Sequence, residues 1–384
     1  MTDLTQAFTQ WRTRPAEDCY WSLQDMTAAA TRERAASVER DYMPRALTIA
    51  ADASVDGIAV ITRSGADPLG FTHHAFAQVS GLAGAPAAYL RSLPAELAAD
   101  CLSVGLARRD RNERALSMLA NTDNAQVRAF TGETYRRLWT ADLLDMVQRA
   151  IDRSASRYVT PPARLSPGWT GPTRTATPDD CGPHTLIQPG ETIRPAGCYY
   201  SPHDGRDTFL LLINTNRPID LPRGATGFRF LMLWNSESGA ASVGGTSGIV
   251  DYVCGNHILW NVKDVKEFRF RHVGDGLSSR SYRELAASFG LLDRAPWELE
   301  ALRASERLML GETTEEVEAA AVRATRLPLS TIRAARESVS GRDYGAPRSA
   351  YAVASALTEY SQRLRIEDRI DVDRAAARLY AAQA

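Results

Sequence analysis

The chain has 384 residues, is 44% hydrophobic and 24% charged, and carries a formal net charge of −1. That length supports two domains, or one large domain with an appendage, and the composition is that of a folded globular protein rather than a disordered one. The near-zero charge excludes any global electrostatic pull toward nucleic acid, membrane or acidic ligands, so such a role has to rest on local clusters.

Basic charge is almost all arginine: Lys263 and Lys266 are the two lysines among 45 basic residues. With so much alanine, this bias reads as a GC-rich genome, and only the placement of the arginines carries information. The five cysteines, at 19, 101, 181, 198 and 254, are scattered and odd in number. They predict free thiols in a reducing cytoplasm. The start, "MTDLTQAFTQWRTRP", is polar and helix-like, and no apolar run approaches the roughly 20 residues needed to cross a bilayer. A cytoplasmic protein without membrane contact is expected.

In chain order, residues 1–41 read as two helical pieces, and "DGIAVITRS" (56–64) as a short strand. Thr72 is placed to cap a helix that ends at a glycine. Pro94 is placed to open a second helix in the stretch 85–109. "RALSMLANTDNAQVRAFTG" (114–132) predicts a hairpin turning at Asn and Asp. "TADLLDMVQRAIDR" (140–153) predicts an amphipathic helix with Thr140 as its cap.

Residues 154–182 are rich in Pro, Gly, Ser and Thr and read as a linker or long loop. Residues 183–277 are β-rich, with "DTFLLLINT" and "GFRFLMLWNSE" as buried strands. From 278 to 384 the chain turns helical, and its Ala- and Arg-rich helices suggest a surface for homo-oligomer formation. The expected class is α+β. It comprises an N-terminal α+β part (1–153), a β-rich core with a mixed or antiparallel sheet covered by helices, and a C-terminal helical region.

Three stretches together resemble a known group. They are "VRAFTGETYRRLWTADLLDMV" (127–147), "FRFLMLWNSESGAASVGG" (228–245) and "DYVCGNHILWNVKDVKEFRFRHVGD" (251–275), with "GAPAAYLRSLP" upstream. In this order they resemble an uncharacterised family of phage- and plasmid-borne proteins, over about residues 60 to 290. The resemblance implies a mobile genetic element as context. It brings no catalytic residues.

Three constellations could carry chemistry. Cys181-x-x-His184 and Cys254-x-x-His257 would together make a Cys2His2 zinc set, but both pairs also suit plain turns. Cys254 with His257 or His272, and Glu237 or Asp251, would make a thiol hydrolase. The apolar flanks of Cys254 instead favour an inert thiol at a hairpin corner, turning at Gly255 and Asn256. Glu237, at the end of an apolar strand, could hold a divalent metal or orient an arginine; the favoured reading is a solvated strand terminus or an ion pair with an arginine. "GGTSG" (244–248) lacks the Lys-Ser/Thr of a phosphate loop. No cofactor is expected.

The third constellation is basic. In "KDVKEFRFRHVG" the alternation puts Phe268 and Phe270 on one strand face and Arg269 and Arg271 on the other, near Lys263 and Lys266. Residues 101–175 hold twelve arginines against seven acids, which makes that stretch locally basic. Arg128, Arg136 and Arg137 lie there, interleaved with Tyr135 and Trp139. Arginines beside aromatics suit phosphates and bases of single-stranded nucleic acid. The leading expectation is a DNA-binding accessory protein of a mobile element, with a hydrolase centred on Cys254, His257 and Glu237, or a non-catalytic assembly protein, as alternatives.

Overall fold

A computed structural model describes all residues except 1–15, 56, 62–67, 111–112, 166–168, 183–186, 204–207, 221–225, 252–256, 260–267, 293–297, 339–346, 362–363, 365 and 382–384. The two long apolar runs form its centre. Strand Thr208–Asn214 pairs antiparallel with Thr226–Asn235, from Thr208↔Asn235 to Ile213↔Phe230. Val243–Asp251 lies on the other side of Thr226–Asn235. Cys198–Tyr200 and then Cys19–Tyr20 extend one flank. Phe268–Phe270 and His257–Leu259 pair with opposite ends of Val243–Asp251 on the other. Among the described residues nine strands join this sheet, and every pairing in it is antiparallel.

The runs are apolar along most of their length, with Arg229 as an exception, because both faces are covered. Leu210, Leu212, Leu231 and Leu233 meet helices Leu23–Ala36, Thr140–Asp152 and Leu277–Leu292. On the other face Phe209, Ile213, Phe228, Phe230 and Met232 pack together, joined by Ala377 of helix Ile366–Ala381. "GGTSG" is part of strand Val243–Asp251. A Cβ on Gly244 would run into the Trp234 indole and lie 2.8 Å from the Phe268 carbonyl oxygen. The glycines there let neighbouring rings lie against the strand.

A second sheet orders Ser37–Tyr42, Leu116–Asn121, Gln126–Gly132 and Gly70–Phe71, the last pair being parallel. Helices His73–Leu82 and Ala95–Ala107 cover it. Thr72 caps the first of these, accepting the Ala75 N–H at 3.1 Å. From Leu277 the chain is helical apart from its short connections, and its last helices pack on one another and on Ile219 and Ile249 of the large sheet. The fold is α+β. Among the described residues no helix is long and apolar enough to cross a membrane.

Some local expectations are corrected. After helix Leu23–Ala36 the chain is not helical but forms strand Ser37–Tyr42. "SVERDY" has no helical apolar period; Glu39, Arg40 and Asp41 are exposed on a strand that lies at the sheet edge, where charge blocks further pairing. Strand Thr48–Asp52, which pairs with Gly57–Ile61, was not foreseen. Within 154–182, Tyr158–Val159 joins the large sheet, and Pro162–Arg164 and Arg174–Thr175 flank Thr192–Pro195. Contacts also cross the boundaries drawn at 153 and 183. Cys19–Tyr20 pairs with Cys198–Tyr200, and two helices from the first 153 residues cover the large sheet.

Candidate nucleic-acid interface

Strand Gln126–Gly132 delivers Arg128 to the seam between the two sheets. There Arg128 is 1% exposed. Its Nη2 donates to Glu237 Oε2 at 2.7 Å, its Nε to the Pro202 carbonyl at 3.1 Å, and its Nη1 to Ser37 Oγ at 3.3 Å. Nη1 also lies 3.2 Å from Glu33 Oε1. A charge buried this deeply needs partners of this kind. Arg128 is therefore corrected: its guanidinium is enclosed and engaged, and no phosphate reaches it.

Glu237 is 0% exposed, so it is not a solvated strand terminus but the ion-pair partner of an arginine, the other half of the expectation. Its Oε1 accepts the Thr140 N–H at 2.7 Å, and Tyr200 Oη donates to Oε2 at 3.3 Å. Thr140 is thus not the cap of its helix. Trp139 holds the cap position without a side-chain bond, and Thr140 Oγ1 lies 2.6 Å from Thr208 Oγ1. The carboxylate of Glu237 does the capping from the turn after a distant strand, where the helix dipole favours negative charge. With its oxygens engaged in this way, Glu237 is also corrected as a metal ligand or catalytic group.

The aromatics between the arginines face the protein's own cations. Arg34 Cζ lies 5.5 Å from the Trp139 ring centre. Arg137 Cζ lies 5.6 Å from that same ring and 5.3 Å from Tyr135. Tyr135 in turn stacks on His272, centroids 5.0 Å apart. The Arg137 side chain is 4% exposed, and its Nε donates to Glu39 Oε1 at 2.8 Å. Arg137 is corrected with Arg128, because its guanidinium is enclosed between rings and a carboxylate.

Arg136, Arg269 and Arg271 are exposed and lie on neighbouring segments. The Arg136 N–H donates to the His272 carbonyl at 2.7 Å, and Tyr135 bridges to Val273. These two contacts lay the loop 133–139 beside the end of strand Phe268–Phe270. Phe268 is 5% exposed and Phe270 packs beside it, so Arg269 projects outward, with Nε 2.6 Å from Ser242 Oγ. Arg280, which follows these arginines at a helix start, donates to the Val273 carbonyl at 3.1 Å and covers Phe270. Acids temper the patch: Asp275 lies 3.5 Å from Arg136 Nε, and Arg114 stands 3.8 Å from Glu133. Lys263 and Lys266 lie outside the described residues.

The surroundings of His272 disfavour its charged form. Its Nδ1 lies 3.2 Å from the Arg136 carbonyl, which can only accept, so Nδ1 carries the proton. Burial pushes the imidazole below its ordinary value; the Arg136 carbonyl opposes this, and the charge of Arg137 adds to it.

For the zinc and thiol readings, Cys254 and His184 lie outside the described residues. His257 pairs with Asp251 across a hairpin. The Cys181 thiol donates to the Thr177 carbonyl at 3.2 Å. Among the described residues no group of three or more His, Cys, Asp or Glu could hold a metal ion. Glu33, Tyr200 and Ser37, which complete the buried network, carried no sequence signal beyond their types. No protein-family model matches this chain, and no curated protein or solved structure matches it.

Proposed function

We propose that this chain binds nucleic acid through its phosphate backbone, as an accessory protein of a phage or plasmid. One observation supports the reading: a backbone hydrogen bond and a bridge lay 135–136 beside 272–273, so the exposed Arg136 lies next to the segment that carries the exposed Arg269 and Arg271. Arginine forks match phosphate oxygens, and each neutralised phosphate releases counterions. Tyr135 and Trp139 are occupied by Arg34, Arg137 and His272, so they favour backbone contact over base stacking. DNA is the expected partner, and single strands engaged in annealing or replication remain within the proposal.

A gel shift with single- and double-stranded DNA at about 50 mM salt tests it. The wild-type protein binds. Replacing Arg136, Arg269 and Arg271 with Ala weakens binding by at least about tenfold and lowers the log–log salt slope by about 2–3. No shift by the wild type, or an unchanged affinity in the triple variant, would sink the proposal.

A further inference from the structure

Helix Ala95–Ala107 buries Ala98, Ala99, Leu102 and Leu106 against the second sheet. Its outer face is unusual for a surface helix. Leu97 is 49% and Val104 52% exposed, and Cys101 between them is half-buried. With Arg108 these positions recur at i, i+4, i+7 and i+11, which is one stripe along the helix. Tyr89, 61% exposed, lies on the short helix just before. Three of the seven exposed large apolar side chains among the described residues therefore fall between 89 and 104, and this clustering marks a contact surface.

The charges on this face are ordered. Glu96 and Asp100 are exposed near the start of the helix, and Arg108 is exposed at its end. Glu96 stands six positions before Leu102 and Arg108 six positions after it. Two copies of the helix laid antiparallel about a two-fold axis at the level of Leu102 place Arg108 of each opposite Glu96 of the other. In the same arrangement Leu97 of one copy falls between Val104 and the aliphatic stem of Arg108 of the second. A parallel arrangement would set acid beside acid and align the helix dipoles.

We infer that this face is a homodimer interface, isologous and antiparallel, with a second copy of the chain as its occupant. The self-complementary charges favour a second copy over an unrelated partner. One helix pair covers less than the roughly 800 Å² per partner of a standard interface, so the dimer is reversible. The C-terminal helices, the other candidate for self-association, spend Val317, Ile332, Val353 and Leu357 on their own core.

Sedimentation equilibrium of the full chain up to about 0.5 mM reads the dimer directly. Glu96→Arg alone and Arg108→Glu alone each weaken it by about tenfold or more, since each sets like charges face to face. Combining the two changes restores the wild-type constant to within about threefold. Leu97→Glu abolishes the dimer. A bismaleimide cross-links two chains through Cys101, and Cys101→Ser removes the product. These positions are on the surface, and circular dichroism verifies that each variant is folded. A wild type that stays monomeric, a dimer indifferent to Leu97→Glu, or a charge-swapped protein no better than the single variants overturns the inference. So does a dimer lost on changing Met309 and Leu329, exposed apolar side chains of the C-terminal region.

Discussion

Arg128 and Arg269 lie on strands and belong to the same basic constellation, yet they end in opposite surroundings. Arg128 is enclosed by Glu237, Glu33, Ser37 and the Pro202 carbonyl, while Arg269 projects outward with only Ser242 at its Nε. The difference lies in what stands across from each strand. The strand of Arg128 faces helix Leu23–Ala36 and the end of Thr226–Asn235, which bring two carboxylates. The strand of Arg269 presents Phe268 to the core instead, and its alternation sends the arginine to solvent. Local arginine density says nothing about accessibility; the opposite wall decides it.

The sharpest way to break this contrast is Arg128→Ala. It leaves Glu237 without its charge partner, and the expected loss is about 3–5 kcal/mol in urea unfolding. Arg128→Met combined with Glu237→Gln and Glu33→Gln recovers much of that loss, because both carboxylates that faced the guanidinium are neutralised with it. A loss below about 1 kcal/mol for Arg128→Ala would mean that the pair is solvated and the contrast false.

Gly244→Ala tests the wall behind the exposed side. The added Cβ drives against the Trp234 indole and the Phe268 carbonyl, with an expected cost of about 1–3 kcal/mol. Gly244 is the register partner of Arg269, so the same change is expected to displace the exposed arginine and to weaken the nucleic-acid binding proposed above.

His272 joins the two environments, and its effect depends on pH. Its folded pKa lies below the ordinary 6.5, so the unfolded chain takes up the proton more readily. This contribution to stability is complete above pH 6.5 and falls away as the pH drops through the folded value. His272→Phe keeps a ring against Tyr135 and removes the titration. Its unfolding free energy then changes less between pH 7 and pH 5 than that of the wild type, while equal pH dependences would refute the assignment.

The smallest effect on stability belongs to the exposed set. The combined Arg136→Ala, Arg269→Ala and Arg271→Ala variant should unfold within about 0.5 kcal/mol of the wild type. A large destabilisation would place these arginines with Arg128 instead.

Much of the fold is legible in the sequence because it is local. The Thr72 cap, the hairpin at 121–126 and the strands around 210 and 230 follow from side chains close together in the chain. The seam between the sheets is not local. Glu237 announces itself as a strand-end acid, but nothing near it names Arg128, 109 positions earlier. Thr140 has the right chemistry for a cap and loses that role to a carboxylate 97 positions away. The stretch 154–182 has the composition of a linker, yet neighbours from 192–195 and 213–214 recruit it into sheets. The interleaved aromatics misled for the same reason: spacing shows that arginines and rings are close, and only the packing shows that they lie against each other.

The capping of helix Thr140–Asp152 by Glu237 also sets a timetable for the growing chain. A ribosome adding roughly 5–20 residues per second leaves Arg128, with Glu33 already made, waiting about 5–20 s for its second carboxylate across those 109 positions. Until then the first half of the protein holds an uncapped helix start and an arginine that cannot yet be buried. That half is complete only when the second has been made, and a nascent chain stalled before Glu237 presents a surface for chaperones rather than a finished domain.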